Sequence, residues 1–143
     1  MNEMKNVVQQ NGTILKKYEV IALNNVLSGV KIGKVSKDAA FALLDVKIEL
    51  SRHVKEIEDA QKIAAEDLKP EQLKKEGAED SKDEATSALK KRWNDKYMEF
   101  VGRRMEEEVE VKLKTIAKDD IYELSTDNGL NIQQIEILMR LAK

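Results

Sequence analysis

Residues 85–116 read ATSALKKRWNDKYMEFVGRRMEEEVEVKLKTI, and the hydrophobic period changes within this stretch. Large apolar residues first recur every four positions, the spacing of one face of an α-helix: Leu89, Trp93, Tyr97, Val101 and Met105. After Glu108 the pattern becomes strict alternation, in which charged residues separate Val109, Val111 and Leu113. A period of two is typical of a half-buried β-strand. The stretch therefore predicts a long amphipathic helix that leads almost directly into a strand.

The composition favours long solvated helices over a sandwich or a barrel. Of the 143 residues 36% are charged and only 4% are aromatic, with one Pro and six Gly. The length predicts a single domain over residues 1–143. A net charge of −2 does not indicate a surface that attracts nucleic acid or an anionic membrane. The absence of cysteine excludes disulfides and thiolate metal sites. No run resembles a signal peptide or a membrane span, so we expect a soluble protein that is not secreted by such a signal.

The N-terminal segment contains the expected partner of this strand. Asn11-Gly12 suits a two-residue hairpin turn because both residues tolerate positive φ, and Val7-Val8 and the segment 13–15 could form its two strands. The alternative is a loose arm followed by one strand at 13–15. In either case this segment is expected to pair with residues 109–113, since an isolated strand leaves its backbone groups without partners.

Two helices are predicted between these strands. The first begins near Lys17 and ends with Gly29 as a left-handed cap. The second begins after Ser36 as N-cap and continues to about residue 66. It has a heptad seam typical of a two-helix hairpin: Leu43, Val46, Leu50, His53, Ile57, Ala60 and Ala64. Phe41, Leu44 and Ile48 form a second apolar face, which predicts that this end of the helix is buried on two sides.

The rest of the chain supplies a hairpin tip and a C-terminal part of the base. Residues 66–84 carry many charges and few large apolar residues, so we expect a flexible, solvated tip. After the strand, residues 118–124 predict a short turn. Asn131 with Gln134 then resembles a capping box that opens a last helix.

Four features invite a chemical interpretation, and each has a simpler structural one. The glycine loop at 29–36 has the wrong spacing for a phosphate-binding loop. His53 is the only histidine and lies on the heptad seam, where packing is the simpler role. Consecutive glutamates at 106–108 fan out by about 100° each, so they do not converge on a metal ion. The basic residues 90–92 and 103–104 are interspersed with acidic ones, and nucleic-acid binding is not expected.

Residues Trp93, Tyr97, Phe100 and Met105 could line a ligand pocket, but their helical spacing favours the main core. We therefore assign no catalytic, cofactor-binding or metal-binding residue, expect no cofactor, and do not expect an enzyme.

The order of features resembles a group of small, largely uncharacterised proteins of tailed phages and prophages. The resemblance rests on the runs RWNDKYMEF at 92–100, MEEEVEVK at 105–112 and DDI at 119–121, and on the helix that opens at Asn131. A longer, glutamine-containing extension before Thr13 departs from that pattern. The resemblance implies a phage gene product of the structural or assembly module, present in the host cytoplasm or the virion, and supplies no catalytic residues.

Together these observations predict a mainly α, α+β fold, in which a long antiparallel helical hairpin stands on a small base with a two- to three-stranded sheet. The expected role is non-enzymatic: a virion neck, ring or tail component or an assembly helper, whose partners are copies of itself or other virion or assembly proteins. The alternative is a phage-encoded binding protein that modulates a host factor. The candidate interaction residues are Val109, Val111, Leu113, Leu43, Leu50 and Ile57.

Overall fold

The computed structural model describes residues 12–143. These residues form two strands, β1 (Thr13–Lys16) and β2 (Glu108–Val111), and five α-helices: α1 (Lys17–Ser28), α2 (Lys37–Asp67), α3 (Glu84–Met105), α4 (Lys118–Asp127) and α5 (Ile132–Leu138). The predicted mainly α, α+β class is confirmed. The described residues group into two compact units, one made of residues 12–55 and 108–143 and the other of residues 56–107. The prediction of a single domain stays a prediction.

The sheet of the first unit is an antiparallel pair. β1 lies against β2 with Leu15 opposite Val109 and Lys16 opposite Glu108, which confirms the predicted pairing and places opposite charges across the ladder. Gly12 precedes β1, and a Cβ atom built on it would lie 2.2 Å from Cγ of Glu110, so only glycine fits there without a shift. The predicted first strand of an N-terminal hairpin, at Val7-Val8, lies outside the described residues.

The main hydrophobic core lies in the first unit. The two strands, the first half of α2 and the helices α1, α4 and α5 all contribute buried side chains to it. The largest ones that are almost fully buried are Leu15, Leu23, Leu50, Leu124, Leu138 and Leu141. The last described residues are hydrogen-bonded to the segment after β2. Ile116 forms a parallel bridge with Ala142, in which the Ile116 N–H donates to the Leu141 carbonyl at 2.7 Å. The core thus joins segments from both ends of the described chain.

Helix α2 has 31 residues, or about 46 Å at 1.5 Å per residue. Ser36 caps it as predicted, since its hydroxyl accepts the N–H of Ala39 at 3.2 Å. Apart from the half-buried Ala60, the heptad seam is buried as predicted, but its first part packs into the main core instead of against a return helix. The prediction of burial on two sides is wrong, because Phe41, Leu44 and Ile48 are exposed.

The second unit contains the helical hairpin formed by residues 56–67 of α2 and by α3. The indole Nε1–H of Trp93 donates to the Ala65 carbonyl at 2.8 Å, near the end of α2. Between the two helices the chain makes two short 3₁₀ turns, Glu71–Leu73 and Ala78–Asp80, and Leu73 is buried. The predicted flexibility of residues 66–84 stays a prediction.

Three expectations for these elements are wrong. The apolar stripe of α3 is only partly buried and is not the main core, because in this unit it has just the end of α2 and the connecting turns to pack against. Gly29 has φ −99° and is not a left-handed cap. The short turn after β2 is a full helix, α4, which buries Ile121 and Leu124. The capping box at Asn131 and Gln134 is confirmed.

Candidate interaction surface

The first half of α2 carries three large apolar side chains on its solvent side. Phe41, Leu44 and Ile48 have exposed fractions of 58%, 48% and 70%, and we call these three residues the outer apolar face. Their spacing of three and four residues places them on one side of the helix. The opposite side of the same segment packs Leu43 and Leu50 into the core. This helix therefore presents an apolar surface that nothing in the described part of the chain covers.

Charged residues of both signs surround the outer apolar face. Lys37 precedes it and Lys55 follows it on the same side of the helix, and neither lysine has an ion-pair partner among residues 12–143. Asp45, at the rim of the face, is neutralised by an ion pair with Lys114. Arg52, one turn beyond Ile48, is bound to Glu49 at 3.0 Å. Exposed Asp38 lies beside Lys37, and exposed Asp59 lies one turn after Lys55, so both ends of the face carry charges of both signs.

The interaction residues predicted from the sequence occupy other positions. In the first unit Leu43, Leu50 and Val111 are buried, and Val109 and Leu113 are partly buried against the same core. In the second unit Ile57 is buried. Their side chains stabilise the chain itself, so no docking surface is built on them. A role of the strand backbone in pairing with a partner stays a prediction.

Sequence reasoning missed the outer apolar face as a surface, although it identified all three residues. A helix with apolar residues on two sides is ambiguous, because either side could be covered by another part of the chain or by a partner. Whether both sides of the helix are buried depends on how many other helices and strands can pack against it. Among residues 12–55 and 108–143, the sheet and three short helices pack against one side of the first half of α2, and none of these elements covers the other side.

A polar cluster beside this surface ties α2 to the strand region. The Glu49 carboxylate, 15% exposed, accepts the backbone N–H of Lys112 at 2.7 Å and the Arg52 guanidinium at 3.0 Å. Burial raises the pKa of Glu49, but the hydrogen bonds from Lys112, Arg52 and His53 together outweigh burial and hold the pKa below its ordinary value of 4.5. Glu49 is therefore an ionised structural link.

His53 is 5% exposed, and its Nε2 lies 3.3 Å from Oε2 of Glu49 and 3.1 Å from the Arg52 guanidinium. The predicted packing on the seam is confirmed. The sequence analysis did not pair His53 with Glu49, which lies four residues earlier in the same helix. The i, i+4 spacing was the signal that could have revealed the pair.

The charged runs of the second unit are engaged in local pairs. Arg103 is bound to Glu99, and Arg104 lies 3.3 Å from Glu107. Lys90 donates to the Glu79 carbonyl. These contacts link the basic clusters to neighbouring polar groups. Within residues 12–143 no group of three or more acidic or histidine side chains is placed to hold a metal ion.

The glycine loop before α2 is held by side chains of other segments. Asn128 accepts the N–H of Lys31 at 2.7 Å and donates to its carbonyl at 2.9 Å. Asp120 accepts both the backbone N–H and the hydroxyl of Ser36 at 2.9 Å. The amide of Lys31 and the amide and hydroxyl of Ser36 are therefore used inside the fold, which agrees with a structural role for this loop.

Comparison with known proteins identifies no relative of this chain. No family model, no curated protein and no solved structure matches it. Among the described residues no helix is long and apolar enough to cross a membrane.

Proposed function

We propose that this protein is a non-enzymatic structural or assembly protein of a tailed phage, acting through protein–protein contacts. It serves as a component of the virion neck, ring or tail, or as a helper that holds such a component during assembly. The observation that carries the interaction role is the outer apolar face. Water contact with three clustered large apolar side chains is unfavourable by about 25 cal/mol per Å² of apolar area, so a covering partner is favoured.

Two further features support a docking role. Within the described residues β1 and β2 pair only with each other, and addition of a strand from a partner to this two-stranded sheet is one way in which such a sheet can dock. In addition, the sheet is short, with four residues in each strand. The phage assignment is supported by the resemblance of the segments at 92–100, 105–112 and 119–121.

Quantitative mass spectrometry of purified virions tests this proposal. For a neck, ring or tail component the protein is expected at a fixed copy number relative to the major capsid protein. For an assembly helper it is expected in purified assembly intermediates and not in finished virions.

Absence from both virions and assembly intermediates would overturn the proposal. That result would favour the alternative, a phage-encoded protein that docks on a host factor through the same face. A pull-down from infected host cells would then return a host protein in stoichiometric amount, and capture would be reduced when Leu44 is changed to Asp.

A further inference from the structure

A groove runs along one side of the helical hairpin in the second unit, and we call it the hairpin groove. It has a volume of about 370 Å³. One wall is the end of α2, with Ala64, Asp67 and Leu68, and the other is α3, with Lys96, Phe100 and Arg103. A smaller depression beside Trp93 continues the groove, because Leu68 and Lys96 line both. Leu68, Trp93 and Phe100 are only half-buried, so the hairpin leaves apolar surface along this groove.

The unpaired charges of the hairpin groove have opposite signs on its two walls. Glu99 and Arg103, both on α3, form an ion pair with each other. Asp67 on the α2 wall and Lys96 on the α3 wall are exposed, and neither has a hydrogen-bond or ion-pair partner among residues 12–143. Arg92, which lines the smaller depression, has no partner in this range either. The α2 wall is therefore negative and the α3 wall positive.

The neighbouring charged residues do not reverse this distribution. Next to the α2 wall, Glu66 and Glu71 are also acidic, and Lys69 is ion-paired with Glu79. Next to the α3 wall, Asp95 is exposed, but it lines neither the groove nor the depression. Consecutive helical residues are about 100° apart around the axis, which turns this carboxylate away from the groove.

The two unpaired charges lie at matching levels on either side of one hydrogen bond. The indole of Trp93 donates to the Ala65 carbonyl, so these residues mark one level of the antiparallel hairpin. Asp67 lies two residues after Ala65, and Lys96 lies three residues after Trp93. At 1.5 Å per residue they are about 3 Å and about 4.5 Å from that level, in opposite directions.

A twofold axis through this level, perpendicular to the grooved side, would lay α3 of a second copy over α2. Lys96 of each copy would then lie within about 2 Å, along the helix axis, of Asp67 of the other copy. If the second hairpin ran parallel to the first, the same two residues would be about 7.5 Å apart along the axis. The rotation also places Arg92 of one copy within one turn of Glu66 and Asp67 of the other. The antiparallel arrangement is therefore the complementary one.

We propose that the hairpin groove is the contact surface of a homodimer, in which the hairpins of two copies pack against each other as an antiparallel four-helix bundle. Asp67 of each copy pairs with Lys96 of the other, and Trp93 and Phe100 are shielded from water. This inference rests on the proposed role in protein–protein contacts, and it names a second copy of the chain as a partner.

The two walls together favour a second copy over another helix. A helix of one charge sign, acidic or basic, would be repelled by one of the two walls. A copy related by a twofold axis offers its positive wall to the negative one and its negative wall to the positive one. The second hairpin also has the same length as the first, so both grooves are covered at once.

Sedimentation equilibrium of the full-length protein at concentrations up to about 100 μM tests this inference, since a micromolar dissociation constant is visible there. We expect a dimer. Asp67→Lys and Lys96→Asp should each weaken dimerisation at least tenfold, because like charges then face each other at both contacts. An equimolar mixture of the two variants should dimerise about as tightly as the original protein, since each lysine then faces an aspartate of the other chain.

Rescue by mixing separates a contact between copies from a change within one copy, because a variant that is damaged in itself is not repaired by the other. The controls are Asp59→Lys and Lys91→Asp, at exposed positions of the same two helices outside the groove, and they should leave dimerisation unchanged. If a reversed charge impairs folding, Asp67→Asn removes the charge alone and should weaken dimerisation by a smaller factor.

A monomer at about 100 μM would overturn the inference. Dimerisation that neither charge reversal weakens, or a mixture that dimerises no better than either variant alone, would overturn it as well. The proposed function is tested separately: a monomer found in virions at a fixed copy number leaves that function standing. If the dimer responds as expected but the protein is absent from virions and assembly intermediates, the proposed function fails while this inference stands.

Discussion

The carboxylate of Glu49 accepts the backbone N–H of Lys112, 63 residues later in the chain, at 2.7 Å. This bond ties the middle of α2 to the residue that follows β2. The same carboxylate also binds Arg52 and His53, so one side chain organises a polar cluster next to the main core. The outer apolar face ends one residue before Glu49, at Ile48. The link therefore holds in place the helix segment that we propose as the docking surface.

The contribution of Glu49 to stability should depend on pH. Its pKa is lower in the folded chain than its ordinary 4.5, so the stabilisation is complete above about pH 4.5 and is lost as the pH falls through the lowered folded value. Glu49→Gln should lower the free energy of unfolding by about 1–2 kcal/mol at pH 7, because the charged hydrogen bonds are weakened.

Urea unfolding of both proteins at pH 7 and near pH 3 measures this difference, which should shrink at the lower pH. Glu58→Gln, at an exposed position of the same helix, is the control and should have little effect at either pH. A loss of the same size at both pH values would show that the ionised form of Glu49 is not what stabilises the fold.

Trp93 should stabilise the second unit through its indole N–H. The Ala65 carbonyl lies in the last turn of α2, where carbonyl groups lack partners within the helix, and Trp93 supplies the donor at 2.8 Å. Trp93→Phe keeps an aromatic ring and removes the donor, and should reduce stability by about 1 kcal/mol.

Hydrogen exchange should report this loss as faster exchange within residues 56–107. The control is Tyr97→Phe, because the Tyr97 hydroxyl has no hydrogen-bond partner in the described part of the chain. Equal protection in the Trp93→Phe variant and the original protein would contradict the role given to the indole.

The same substitution should destabilise the chain much more on the buried side of α2 than on its exposed side. Leu50 is fully buried, so Leu50→Ala should lower the free energy of unfolding by about 2–5 kcal/mol. Leu44 lies on the exposed side, and Leu44→Ala should change it by about 0.5 kcal/mol or less. Denaturant unfolding of the two variants is the measurement. Similar losses for both would mean that Leu44 is covered in solution.

Removing the hydroxyl of Ser125 should not lower the free energy of unfolding. Its hydroxyl is buried in α4 and has no hydrogen-bond partner among the described residues. Ser125→Ala removes a buried polar group without a partner, so the free energy of unfolding should stay the same or rise by about 1 kcal/mol. Thermal unfolding can measure the change. A clear loss of stability would show that the hydroxyl does have a partner in solution.

Local sequence patterns were sufficient to predict most of the helices and the two paired strands. The change of period near Met105 predicted α3 followed by β2, and the alternation of Val109 and Val111 predicted the side of the strand that faces inward. Ser36 and Asn131 predicted where two helices begin, because a capping side chain acts within three residues of its own position. These features depend on neighbouring residues, which a single sequence displays.

Features that depend on distant segments were not predictable in the same way. The outer apolar face was expected to be buried, since nothing in the spacing of Phe41, Leu44 and Ile48 states how many elements are available to cover it. The link from Glu49 to Lys112 joins a side chain to a backbone group far along the chain, and such a pair leaves no pattern in one sequence. The partly buried state of Trp93 and Tyr97 likewise depends on how few elements pack against α3.

The most direct test of the account is the copy number of the protein in virions produced with two matched variants, Leu44→Asp and Ile63→Asp, measured by quantitative mass spectrometry. Both residues are exposed on α2, but only Leu44 belongs to the outer apolar face. We expect that Leu44→Asp strongly reduces incorporation, while the purified variant unfolds like the original protein, and that Ile63→Asp is incorporated normally. Equal incorporation of both variants would contradict it.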